Sequence, residues 1–101
     1  MKRQQALDIS IGDYLAQLQN ARRASAHTVA GYARDLAAAA DYFAGRGIDD
    51  WTRVTVADVR ELLAARHRGG AQPASLARLA SALRSFYVWR MRQGISTDNP
   101  A

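Results

Sequence analysis

Apolar residues recur along this chain at helical spacing in four separate stretches, with no convincing strand-like alternation. The first stretch predicts a helix from about Ile11 to Asn20. Ile11, Tyr14, Leu15 and Leu18 fall at the i, i+3, i+4, i+7 positions, and Ser10 followed by Asp13 makes an N-terminal capping pattern. The second stretch is the clearest. Ser25 caps a helix running to about Ala44, with Val29, Tyr32, Ala33, Leu36, Ala40 and Phe43 on one face. Its alanines from Ala37 to Ala40 favour helix and allow close packing. Gly45 and Gly47 supply the stop.

The connection Ile48-Asp49-Asp50-Trp51-Thr52-Arg53-Val54 is expected to plug one end of the core through Ile48, Trp51 and Val54. Thr55 then caps a third helix, with Asp58 completing a Thr-x-x-Asp box. Val56, Val59, Leu62 and Leu63 are expected to face inward, and Gly69-Gly70 to end that helix. Pro73 opens the fourth near its first turn, where a missing N–H costs nothing. Leu76, Leu79, Ala80, Leu83, Phe86, Tyr87 and Met91 make its expected buried face, and Gly94 ends it. Trp89 falls off this stripe and reads as a packing surface for a further domain. The fold class is therefore all-α, a compact four-helix bundle with short connections. Residues 1–96 form the domain, and 97–101 read as the start of a linker leading to a domain outside the chain.

At 101 residues the chain is one domain, and its hydrophobic fraction of 49% rules against disorder. It has no cysteine, so disulfides and thiolate metal sites are excluded. Neither a signal-like start nor a membrane-length apolar run is visible, so a cytoplasmic protein without a membrane partner is expected. The net charge of +5 is unevenly placed. Residues 1–62 balance eight basic against eight acidic side chains, whereas residues 63–101 carry Arg66, Arg68, Arg78, Arg84, Arg90 and Arg92 against Asp98 alone. Thirteen of the fourteen basic residues are arginine, whose planar fork suits phosphates and guanine edges.

Catalytic chemistry is not visible. The two histidines, His27 and His67, lie on different helices, and neither has a ligand at i+3 or i+4. Gly69-Gly70 matches no phosphate-binding loop, and there is no nucleophile elbow. No cofactor, metal, catalytic residue or small-molecule substrate is expected.

The helix surfaces are more informative. The face of the second helix opposite its apolar stripe carries His27, Ala30, Gly31, Arg34 and Ala38, small residues punctuated by basic ones. A mid-helix glycine such as Gly31 costs about 1 kcal/mol relative to alanine. Close approach to DNA or to another helix would justify it. The N-terminus of this helix, beside Ser25, His27 and Thr28 and just after Arg22 and Arg23, is suited to a phosphate. On the fourth helix the outer face carries Ala74, Ser75, Arg78, Ser81, Ala82 and Ser85. Arg78 is its only long donor and the best candidate for a base edge in the major groove. Arg84 borders the core and suits an ion pair as readily as a DNA contact. Arg66 and Arg68 complement the dipole of the third helix or bind phosphate.

Read in order, Ser25-x-x-Thr28-x-x-x-Tyr32-x-x-Asp35-Leu36 with Phe43, Val54-Thr55-x-x-Asp58-Val59, Ser75-x-x-Arg78-x-x-Ser81-Ala82-Leu83-Arg84-x-Phe86-Tyr87 and Asn99-Pro100-Ala101 cover nearly the whole chain. Together they resemble the N-terminal core-binding domain of Xer-type tyrosine recombinases, nearest to the XerC-like type. The resemblance implies a SAM-like helical domain forming half of a clamp around double-stranded DNA. Its second and fourth helices would lie across the major groove, with His27 and Thr28 on phosphates and Ser75 and Arg78 in the groove. It implies strand exchange at a recombination site in chromosome dimer resolution before cell division. The implied partners are the protein's own catalytic domain and partner recombinase subunits. The family's catalytic arginines, His-x-x-Arg pattern and tyrosine nucleophile are not matched: His67 has Gly70 three residues on, and Tyr14, Tyr32, Tyr42 and Tyr87 sit on packing or boundary faces. The fragment is therefore expected not to be an enzyme by itself. The rival readings are a free-standing helix-turn-helix regulator and a helical protein-interaction module.

Overall fold

The computed structural model describes residues 2–21 and 24–101, with backbone alone at residues 2, 3 and 21. Among the described residues four α-helices occur in the order α1 (Lys2–Ala21), α2 (Ala26–Gly45), α3 (Val56–Arg68) and α4 (Pro73–Arg92). A single 3-10 turn, Trp51–Arg53, bridges α2 and α3. There is no strand among the described residues. The fold is the expected all-α bundle.

The core is built from one stripe per helix. Leu7, Ile11, Tyr14 and Leu18 of α1 meet Leu36, Ala39, Ala40 and Phe43 of α2 and Leu79, Leu83, Phe86 and Tyr87 of α4. Alanines at 39, 40 and 82 let the backbones approach closely, and all three are fully buried. Trp51 and Val54 close one end as expected, with Ile48 packed against them. Trp51 stands edge-on to Phe43 and Phe86.

The helix ends follow local chemistry. Ser25 Oγ accepts from Thr28 N at 3.0 Å. Thr55 and Asp58 form a complete reciprocal capping box. Pro73 sits in the first turn of α4, after Gln72, which makes no side-chain cap bond. At the end of α2, Gly47 takes φ +86°, a left-handed conformation that lets Gly47 N and Ile48 N donate back to Ala44 and Phe43.

Several expectations change. The first helix begins at Lys2, so Ser10 lies inside it and does not cap it. The stripe continues one turn earlier through Leu7, which is fully buried. Val56, the first residue of α3, is 49% exposed and does not face inward. Met91 is likewise exposed. Ala82 is buried against the core, whereas Trp89 packs inward on Tyr14 and Phe86 with centroids 5.6 and 6.1 Å away. The segment after α4 also folds back. Ser96 and Pro100 are buried, Asn99 Nδ2 donates to the Arg84 carbonyl at 3.3 Å, and Ala101 packs on the core.

Candidate nucleic-acid interface

The N-terminus of α2 presents Ser25, His27 and Thr28, all exposed. The Ser25 hydroxyl caps Thr28 N and also donates to Thr28 Oγ1 at 2.9 Å. The two side chains thus hold each other at the mouth of the helix. Ala26 N and His27 N have no carbonyl to reach within the helix, so the positive dipole end stays open. Arg22 and Arg23 lie outside the described residues.

The centre of the α2–α4 contact is an ion pair. Arg78 Nε donates to Asp35 Oδ2 at 2.7 Å and Arg78 Nη2 to Oδ1 at 3.1 Å. This two-pronged fit is the geometry a guanidinium makes with a carboxylate. The hydrogen bond and charge of Asp35 raise the Arg78 pKa still further above its ordinary value. Asp35 is buried, whereas the Arg78 side chain is 47% exposed. It is the only such ion pair among the described residues. Arg78 Nη1 has no hydrogen-bond partner among them.

Gly31 is buried and does not face outward as read from its helical position. A Cβ built there would lie 3.8 Å from Cδ and Nε of Arg78. The close approach is therefore by the arginine from α4, whose stem runs across the glycine. Asp35, Ala38, Ser75 and Arg78 share a small cleft of about 90 Å³ with Arg66, from the end of α3. The exposed residues lining it are Ser75 and Arg78 on α4 and Arg66 on α3, while Arg34 is exposed elsewhere on α2.

Other residues are less available. Ser81 is half-buried and accepts from Arg84 Nη2 at 3.3 Å. Arg84 makes no ion pair among the described residues. Tyr14 and Tyr87 are buried, and Tyr32 and Tyr42 are half-buried. No group of three potential metal ligands comes together among the described residues. No helix among them is long and apolar enough to cross a membrane.

Asp35 is the residue that periodicity and composition passed over. Its signals were a carboxylate set among the small and basic residues of α2 and a place in the second-helix motif, neither of which names a partner. Its partner lies 43 positions away, a separation that helical spacing cannot bridge.

Residues 11–94 match the family model described as the phage integrase N-terminal SAM-like domain. The chain is 42% identical over 88 residues to a tyrosine recombinase XerC of Pseudomonas putida, covering 87% of this chain and 29% of that protein. It is 39% identical over 92 residues to one of Xanthomonas campestris pv. campestris, covering 91% and 29%. It is 41% identical over 97 residues to one of Proteus mirabilis, covering 96% and 32%. The chain thus spans about a third of the length of these curated relatives. No solved structure matches it. With the family match reaching from Ile11 within α1 to just past the end of α4, the chain belongs to the phage integrase N-terminal SAM-like domain family.

Proposed function

We propose that this chain is the DNA-clamping domain of a XerC-like site-specific tyrosine recombinase. It grips double-stranded DNA at a recombination site while a separate catalytic domain of the parent protein carries out strand exchange, in the service of chromosome dimer resolution in the cytoplasm. The domain itself supplies no catalytic residue. Its partners are the duplex, that catalytic domain and the partner recombinase subunits of the synaptic complex.

The observation that carries this reading is the surface where α2 meets α4. Small residues there leave room for a phosphate backbone. Ser25, His27 and Thr28 offer donors at an open helix N-terminus suited to an anion. Arg66 and Ser75 share a cleft with Arg78, whose outer nitrogen has no partner among the described residues, and Arg34 adds a further exposed cation on α2. The basic excess lies in the last third of the chain, to which α4 and the end of α3 belong. Phosphate contacts position such a domain, and a base-edge contact from Arg78 supplies what specificity it has.

The test is duplex binding by the chain across a salt series, for wild type and Arg78→Ala. The wild type is expected to bind at low salt, with log K falling by roughly 0.9 per contacted phosphate against log salt. Arg78→Ala is expected to weaken binding. If the wild type fails to bind any duplex near about 50 mM salt, the basic surface meets something other than DNA.

A further inference from the structure

The DNA-facing surface proposed above contains a carboxylate, and phosphate attraction alone would not put one there. Asp35 shares its cleft with Arg66, Ser75 and Arg78, where a negative charge repels a duplex backbone. Among the described residues its two oxygens are spent on Arg78 alone, at 2.7 and 3.1 Å. The result is an arginine fixed from two sides. The carboxylate holds the Nε–Nη2 edge, and the stem rests over Gly31, where any side chain would begin 3.8 Å from it.

A guanidinium has five N–H groups in a rigid fork. Asp35 takes two. The three left over include the end-on edge, one N–H from Nη1 and one from Nη2. That edge is matched by two acceptors side by side, as guanine offers with O6 and N7 in the major groove. A free arginine on a flexible stem would also pair with any phosphate oxygen within reach. One whose charge is already balanced and whose torsions are already set loses less on binding a base and gains less from a phosphate.

We infer that Asp35 is a positioning residue that sets DNA specificity: it presents the end-on edge of Arg78 to a base edge and withholds that arginine from the phosphates. This inference rests on the α2–α4 surface being the duplex interface. Gly31 lies beneath the arginine stem, where a Cβ would stand in ordinary contact with it at 3.8 Å.

The experiment uses two probes: the duplex recovered from a randomised pool by repeated capture on the wild-type chain, and the unselected pool itself. Binding of both is measured by fluorescence anisotropy at several salt concentrations for wild type, Asp35→Asn, Arg78→Ala and the double variant. Asp35→Asn is expected to lower the ratio of selected to unselected binding by about tenfold or more, the scale of a lost bidentate base contact. Unselected binding is expected to hold or rise, with a salt slope steeper by roughly one phosphate contact. In the Arg78→Ala background, Asp35→Asn is expected to change the ratio no further.

Unchanged ratio and slope in a folded Asp35→Asn would overturn the inference while leaving the clamp reading intact. So would a wild type that binds DNA but yields no preferred duplex. A wild type that binds neither probe overturns the clamp reading first, and this inference with it. If circular dichroism shows Asp35→Asn unfolded, Arg78→Lys takes its place. Lysine keeps the charge beside Asp35 and loses the fork, so discrimination should collapse while binding to the unselected pool persists. Retained discrimination in Arg78→Lys overturns the assignment.

Discussion

Arg90 is 3% exposed, yet no carboxylate lies within ion-pairing distance of it among the described residues. Burial, the leading cause, pushes its pKa down from the ordinary arginine range. Hydroxyl groups from three segments meet its nitrogens instead: Ser96 at 2.8 Å, Thr52 at 3.0 Å and Ser10, more weakly, at 3.5 Å. The guanidinium also lies over the Phe86 ring. Arg90 therefore ties α1, the 3-10 turn and the segment after α4 to one point. Hydrogen bonds to a charged group contribute about 1.5–3 kcal/mol each, and a buried hydroxyl left without a partner costs about 1–3 kcal/mol. Arg90→Ala is expected to lose on the order of 2–4 kcal/mol in urea unfolding. Arg90→Met keeps an apolar stem of similar length and removes a buried charge that no carboxylate among the described residues balances, so it is expected to lose less. Equal losses in the two variants would show that stem packing contributes nothing beyond the charge. This role was not legible in the sequence, where Arg90 counted only toward the basic excess. Ser10 was read as a cap, and its contact with Arg90 spans 80 positions. Arg78 was half legible: its isolation among small residues marked it, and Asp35 remained unseen because the pairing exists only once α2 and α4 cross.

At the scale of elements, what the sequence revealed best was whatever local chemistry decides. The Thr55–Asp58 box closes in both directions, with Asp58 N donating to Thr55 Oγ1 at 3.1 Å and Thr55 N to Asp58 Oδ2 at 2.9 Å. Both partners lie within one turn, so the pattern alone was sufficient. The start of α1 failed for the opposite reason. Ser10 and Asp13 satisfy the same capping pattern, but Leu7 fits the core stripe and draws the helix on toward Lys2. Burial of a leucine is worth about 1.5–3 kcal/mol, and a cap about 1 kcal/mol, so packing wins. Where no such competitor exists, the cap should be measurable. Thr55→Ala is expected to destabilise the domain by about 1 kcal/mol, the usual cost of removing a side-chain cap. Chemical denaturation checks this, with the midpoint shifting and the slope constant. A loss below a few tenths would mean that Asp58 alone secures the helix. Ser25→Ala removes a cap of the same kind at an exposed helix end, but there the proposed phosphate contact is lost as well. A fall in duplex affinity without a matching fall at Thr55→Ala separates the two roles.

For the molecule as a whole, the connections that matter run between helices far apart in sequence. Trp51 Nε1 donates to the Leu7 carbonyl at 3.1 Å, and the Tyr87 hydroxyl donates to the Trp51 carbonyl at 2.6 Å. One tryptophan in a three-residue turn thus joins the beginning of α1 to the middle of α4. The Cα radius of gyration is 12.8 Å, about what one packed unit of this length requires. The all-α class and helix count were readable because four stripes of period 3.6 must bury their faces together. Which stripe meets which was not, since periodicity says nothing of crossings. The clamp surface inherits this dependence, because Arg78 meets Asp35 only if α2 and α4 are held in place by the same core. Leu7 tests the unit at its far edge, in a turn that local signals placed before the first helix. If the segment before Ser10 belongs to the cooperative core, Leu7→Ala should cost about 2–5 kcal/mol, as for other leucines truncated in a packed interior. In a domain of this size each kcal/mol lowers Tm by roughly 4–8 °C. Tryptophan fluorescence, reporting on Trp51 and Trp89, and circular dichroism should then fall together in one transition at the lower temperature. A Tm within a degree or two of wild type would place Leu7 outside the cooperative unit, and the bundle would then be held by Ile11, Tyr14 and Leu18 alone on its α1 side.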